Sequence, residues 1–128
     1  MHIEHIALWT NDLERLKTFY ETHFAAAAAA KYINPAKGFA SYFLTFASGA
    51  RLELMSKEGL GDAAAYPASG YTHFALSTGS VEAVNQLTER LRQAGVPMID
   101  GPRWTGDGYY EAVILDPDGN RIGDHALE

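Results

Sequence analysis

The strongest constraint on this chain is internal repetition. His5-Ile6-Ala7-Leu8 returns as His73-Phe74-Ala75-Leu76, and Gly49-Ala50-Arg51-Leu52-Glu53 returns as Gly119-Asn120-Arg121-Ile122-Gly123. The span from His5 to Glu53 is 48 residues and that from His73 to Gly123 is 50. Two strings recurring at nearly equal spacing mark two copies of one supersecondary unit. A chain of 128 residues hides about two-thirds of its unfolded surface on folding, enough for one core and not for two independent domains. The expectation is one domain built of module one (1–56), a linker (57–70) and module two (71–128).

Each module reads as strand, helix and three strands. Residues 2–10 are rich in Ile, Leu and Trp and too short for a typical helix, so they form a strand. Thr10 or Asn11 then offers an N-cap with Asp12 in the first turn, and Leu13, Leu16, Tyr20 and Phe24 form the stripe of an amphipathic helix. Residues 31–35 and 39–47 read as strands, and Ser48-Gly49 turns the chain into 50–56. The linker carries three glycines, one proline and an alanine run. In module two, 71–78 is a strand; Ser80 caps a helix carried by Val81, Val84, Leu87 and Leu91, which Gly95 and Pro97 stop. Strands follow at 96–100, 109–115 and, after the turn Asp116-Pro117-Asp118-Gly119, at 120–126.

Nine of the 20 alanines lie in the runs 25–30 and 63–65. Six identical residues carry no amphipathic pattern, so no chemistry is assigned to the first run. The remaining composition is ordinary globular material. Cysteine is absent, which excludes thiolate metal sites, thiol nucleophiles and disulfides. No stretch nears the ~18 apolar residues of a membrane span, and the first residues lack the basic-then-apolar order of a secretory signal; a cytoplasmic protein without a membrane partner is expected. A net charge of −6 with no basic block argues against nucleic acid, whose affinity draws on clustered Lys and Arg.

Strand alternation selects the candidate chemistry. Ile6 and Leu8 share one face of the first strand, and Phe74 and Leu76 the corresponding face of the fifth. His5 and His73 therefore project from the opposite face. Leu52 and Leu54 point one way while Arg51, Glu53 and Met55 point the other. Imidazole nitrogen with carboxylate oxygen suits zinc, nickel, iron or manganese, and three protein ligands leave positions open for water or substrate. A lone strand histidine is more often a hydrogen-bonded polar residue than a ligand, and a glutamate between two leucines is by default solvent-facing. Recurrence at one position of both modules raises His5 and His73 above His2, His23 and His125, which lack that support.

The strings IEHIAL with His5, ARLELM with Glu53, THFAL with His73 and the closing LDPDGNRI before Gly123 resemble the vicinal oxygen chelate superfamily, which includes glyoxalase I, extradiol dioxygenases, and fosfomycin and bleomycin resistance proteins. The resemblance spans essentially the whole chain. It implies an α+β fold in which two βαβββ modules form a cupped, mostly antiparallel sheet with the helices on the outer face. It further implies a divalent metal, and commonly a homodimer in which two chains complete each site. Glyoxalase-like members bind metal through two histidines and two glutamates. Carried over, these fall on His5, Glu53, His73 and position 123, where this chain has glycine. The repeat gives the same correspondence, since Glu53 aligns with Gly123. In glyoxalase I such a carboxylate also moves a proton between two substrate carbons while the metal stabilises the charge that forms, so Gly123 removes a ligand and a candidate base. Asp124 takes that place only if Gly123 bulges the strand. His125 shares the face but lies roughly 6–7 Å farther along it.

Three functions compete. The first is a metal-dependent lyase or isomerase of lactoylglutathione lyase type, acting on a small, vicinal-oxygen substrate, thiol-conjugated ones included, with His5, Glu53 and His73 holding the ion and Glu53, or a metal-bound hydroxide, as catalytic base. The second is a metal-free module binding a small molecule or antibiotic, with Trp9, Tyr42, Phe46, Trp104, Tyr109 and Tyr110 as candidate cavity aromatics. The third is an extradiol-type dioxygenase, for which two histidines and a carboxylate match the iron triad; the resemblance to those enzymes, however, favours a carboxylate on the final strand.

Overall fold

The computed structural model describes residues 1–63 and 65–127; Ala64, in the second alanine run, and Glu128 lie outside the described residues. The chain divides into two compact units, Met1–Asp62 and Ala63–Glu128.

The first unit runs β1 (His5–Trp9), α1 (Leu13–Phe24), β2 (Ala27–Ala28), β3 (Tyr32–Asn34), a 3-10 turn (Pro35–Lys37), β4 (Phe39–Thr45) and β5 (Arg51–Lys57). Its sheet order is β1-β5-β4-β2, with β3 also on β4. β1 and β5 are parallel and the other pairs antiparallel. The helix is capped one residue beyond Asn11 and two beyond Thr10, the caps expected. Asp12 caps it, accepting from the Arg15 amide at 3.1 Å, while buried Thr10 accepts from the Asp12 amide at 3.0 Å and fixes the approach. Leu13, Leu16, Phe19 and Tyr20 form the buried stripe, so Phe19 takes the place expected of half-buried Phe24. These side chains meet Leu44, Leu52 and Leu54 of the sheet, each fully buried leucine contributing about 2–3 kcal/mol.

The first alanine run is not helical, despite alanine's propensity. Ala25 ends α1 in the left-handed region at φ 54°, the Ala26 amide turns back to the Tyr20 carbonyl at 3.3 Å, and Ala27–Ala28 pairs with β4 opposite Thr45 and Leu44. Pairing to an open strand edge outweighs intrinsic preference here, because it satisfies backbone groups that a longer helix would carry away from the sheet.

The second unit runs β6 (His73–Ser77), α2 (Val81–Gln93), β7 (Met98–Trp104), β8 (Tyr109–Leu115) and β9 (Arg121–Leu127), in sheet order β6-β9-β8-β7. β6 and β9 are parallel, again the first and last strands of the module. Ser80 caps α2, accepting from the Ala83 amide at 3.1 Å. Val84, Leu87 and Leu91 pack on Ala112, Ile114, Ile122 and Ala126. β7 continues past residue 100, the expected end of the strand, through Gly101-Pro102 to Trp104. Two register shifts against β8 absorb the pair. Gly101, at φ 77°, lies so close to β8 that a Cβ would sit 2.4 Å from the Glu111 carbonyl oxygen, which demands glycine.

The turn before β9 is built by Asp116, whose carboxylate accepts from the amides of Asp118 and Asn120 and from the Asn120 side chain, each at 2.9 Å. This gives the string LDPDGN a physical role: one buried aspartate closes the turn and sets the register in which Arg121 enters the sheet. Among the described residues, no helix is long and apolar enough to cross a membrane.

Candidate metal centre

In the first unit the parallel pairing sets His5 opposite Arg51 and Ala7 opposite Glu53, and β4 sets Phe43 opposite Glu53. Leu52 and Leu54 face the helix and are buried, so the expected alternation holds and His5 and Glu53 occupy the other face. His5 Nε2 lies 3.9 Å from Glu53 Oε1, with the Glu53 side chain the more sheltered at 15% exposure against 41%. His5 Nδ1 lies 3.5 Å from Glu4 Oε1. The imidazole meets the Phe43 ring edge-on, with centroids 5.4 Å apart. Glu4 also accepts from Arg51 at Nε (2.9 Å) and Nη2, and this bonding to Arg51 holds its carboxyl below the ordinary value. Arg51 in turn lies over Phe43 at 4.1 Å. Sequence reading missed Phe43; its signal was the position directly across from Glu53 in the hairpin.

Two ligand atoms about 2.0–2.2 Å from one ion stand about 3–3.5 Å apart. The His5–Glu53 separation reaches that range with a small side-chain adjustment. The Nδ1 of a metal-binding histidine is commonly held by a second partner that orients Nε2, and Glu4 stands where such a partner is needed. The donor set therefore fits a divalent ion.

In the second unit His73 is opposite Arg121 and Ala75 opposite Gly123, the same register as His5–Arg51 and Ala7–Glu53. His73 Nδ1 is hydrogen-bonded to Thr72 Oγ1 at 3.0 Å, so this imidazole too is held at Nδ1. Gly123 stands where Glu53 stands in the first unit. A Cβ there would touch Ala75 Cβ at 3.4 Å and His73 Cδ2 at 3.8 Å, ordinary contact distances. Steric exclusion therefore does not explain the glycine.

Neither neighbour replaces the missing carboxylate by a bulge. β9 pairs in unbroken register through Gly123 with both β6 and β8. Asp124 therefore turns to the helix side, where it is fully buried, both carboxylate oxygens lack a hydrogen-bond partner, and burial pushes its carboxyl up to about 7. His125 shares the face of Gly123 and stacks on Tyr109, with ring centroids 5.0 Å apart. Among the described residues, no group of three or more His, Asp or Glu side chains is arranged to hold a metal; taken separately, the first unit brings together His5 and Glu53, and the second offers His73.

The candidate cavity aromatics divide between faces. Buried Tyr42 donates its hydroxyl to Glu14 of α1 at 2.8 Å, and Tyr110 donates to Asn85 of α2 at 2.7 Å. Trp104 is paired with Tyr110 and packs on it. These three lie on the helix side. Trp9 shares the face of His5, and Tyr109 that of His125, as strand alternation requires. Phe46 follows β4 and is half-buried.

A search of curated proteins finds no match. Solved structures resemble the chain closely in fold at low identity. A glyoxylase/bleomycin resistance protein/dioxygenase domain from Frankia sp. EAN1pec superposes with a TM-score of 0.87 at 17% identity, over 100% of this chain and 98% of that one. The trypanothione-dependent glyoxalase I of Leishmania major gives 0.78 at 24% identity, over 97% and 85%. Glyoxalase I from Zea mays gives 0.82 at 22% identity over 99% of this chain, which spans 45% of the maize protein. The family model Glyoxalase/Bleomycin resistance protein/Dioxygenase superfamily matches residues 2–123. With that match over nearly its whole length, and with the paired strand–helix–strand modules that carry it, the chain belongs to the glyoxalase/bleomycin resistance/dioxygenase superfamily.

Proposed function

We propose that the protein is a glyoxalase-like, metal-dependent lyase or isomerase of small substrates with adjacent oxygens, thiol conjugates included, and that His5, Glu53 and His73 hold its divalent ion. Zinc, nickel, iron and manganese all suit this donor set. The observation that carries the reading is the His5–Glu53 pair, a nitrogen and a carboxylate oxygen 3.9 Å apart on the face turned away from the helix. When bound, such an ion polarises the substrate oxygens as a Lewis acid. His5 and His73 would ligate through Nε2, since Glu4 and Thr72 hold their Nδ1 atoms. Glu53 is the carboxylate retained at the repeated position. It would give one oxygen to the ion and would be the base that takes a proton from the substrate carbon beside the adjacent oxygens. Gly123 leaves one carboxylate for both tasks, and slow turnover follows.

The test is metal analysis of the purified chain beside His5→Ala, Glu53→Gln and His73→Ala, with isomerisation of a thiol–dicarbonyl adduct assayed before and after chelation. About one divalent ion per chain, lost in each variant together with activity, is the expected result. A chain without stoichiometric metal, indifferent to chelator, refutes the proposal. Gly123 favours a second reading, a metal-free small-molecule or antibiotic-binding module, for which ligand affinity is unchanged by chelator. The family resemblance further supports a homodimer in the cytoplasm; a monomeric mass across a concentration series in light scattering refutes the dimer.

A further inference from the structure

The two modules place an arginine at the same point of the repeat, Arg51 opposite His5 and Arg121 opposite His73. In the first unit the charge of Arg51 is met by Glu4, which accepts from two of its nitrogens, and Glu53 follows two residues along the same face. The second unit has Thr72 where Glu4 stands and Gly123 where Glu53 stands. Both carboxylates have gone and the guanidinium has stayed. Its Nε and Nη1 are buried without a hydrogen-bond partner. The Arg121 Cζ lies 3.5 Å from the Tyr66 ring centroid, so an exposed linker tyrosine covers the charged plane. A guanidinium binds a two-oxygen anion through either of two forks, Nε with Nη2 or Nη1 with Nη2. Each fork of Arg121 contains a buried N–H with no acceptor, a desolvation cost that an anion would offset.

We propose that Arg121, with Tyr66 as its stacking cover, is the subsite for a carboxylate on a small acidic ligand, held beside His73. The inference rests on the reading of the His73 face as a substrate face and adds the class of substrate: one carrying a carboxylate. Tyr66 shields the fork from water and slides aside as the anion enters. A bidentate Arg–carboxylate contact is planar and fork-matched, so lysine in place of Arg121 retains the charge and loses the match.

The test is NMR titration of the full chain, following the Arg121 Nε–H resonance together with the backbone amides of His73 and Gly123, which the Arg121 variants keep, with lactate as the carboxylate probe, lactamide as its neutral counterpart and inorganic phosphate as the competing anion. Lactate is expected to shift those resonances saturably and lactamide not to shift them. Arg121→Gln is expected to weaken lactate binding about 10–100-fold, and Arg121→Lys less. Arg103→Gln, which alters an exposed arginine paired with Asp100, should bind as the parent does. Equal shifts with lactamide, or undiminished lactate binding in both Arg121 variants, overturn the proposal. Tighter binding of phosphate than of lactate overturns the carboxylate assignment. The titration runs with and without chelator, so a chain that binds lactate at Arg121 yet holds no metal keeps this subsite and loses only the metal proposal.

Discussion

Asp124 is the residue whose replacement should change stability most informatively. It occupies the position that Leu54 occupies in the first module, fully buried beneath α2, with neither carboxylate oxygen hydrogen-bonded. The Thr88 hydroxyl of α2 is buried and equally without a partner. Desolvation raises the Asp124 carboxyl from 3.8 to about 7, because ionisation there places a charge among Val84, Leu87, Ile114 and Ile122. Between these two values the folded chain binds a proton that the unfolded chain has released, so stability falls as pH rises through that window and levels off above it. At ~1.4 kcal/mol for each tenfold change, the loss from pH 4 to above pH 7 is about 4 kcal/mol. Asp124→Asn keeps the shape and removes the ionisation. Urea unfolding of parent and variant at pH 4.5 and pH 8 isolates the contribution of this group, since every other titration is common to both chains. The variant should match the parent within about 1 kcal/mol at the lower pH and exceed it by about 3–4 kcal/mol at the higher. An equal difference between parent and variant at both pH values would show that Asp124 is not a buried, proton-linked carboxyl, and the argument from its burial would fail.

Gly123→Glu tests the missing ligand directly. The added Cβ meets only ordinary contacts with Ala75 and His73, so the fold should persist while zinc affinity, followed by calorimetry, rises at least about tenfold; unchanged affinity would refute the correspondence between Gly123 and Glu53. Ala25→Gly should stabilise the chain by about 1 kcal/mol, because alanine at φ 54° bears a steric cost that glycine does not. Thermal unfolding checks it, and a lowered midpoint would mean that the Ala25 methyl packs more favourably than its backbone strain costs.

Much of this molecule is legible in its sequence because side-chain alternation and helical spacing are local and periodic. The repeat fixed two βαβββ modules, placed the β1–β5 and β6–β9 strands in equivalent positions, and put His5, Glu53 and His73 on the faces turned from the helices, as the observed register has them. The same alignment marked position 123 as the point where the copies diverge.

The rest was decided by contacts between segments distant in the chain. Ala27–Ala28 became strand because β4 offered an edge to pair with, and β7 ran through Gly101-Pro102 because bulges against β8 absorbed it. Alternation turns Tyr42 and Tyr110 to the helix side, but only packing brought Glu14 and Asn85 there to accept their hydroxyls. Alternation and the repeat put Asp124 on the helix side with Ile122, but nothing local in the sequence tells that its carboxylate finds no partner there, or that the guanidinium of Arg121 is not already paired. Burial and hydrogen bonding depend on which segments arrive around a side chain. Local sequence therefore set the direction in which each residue points, and tertiary packing set whether a carboxyl or guanidinium found there has a partner.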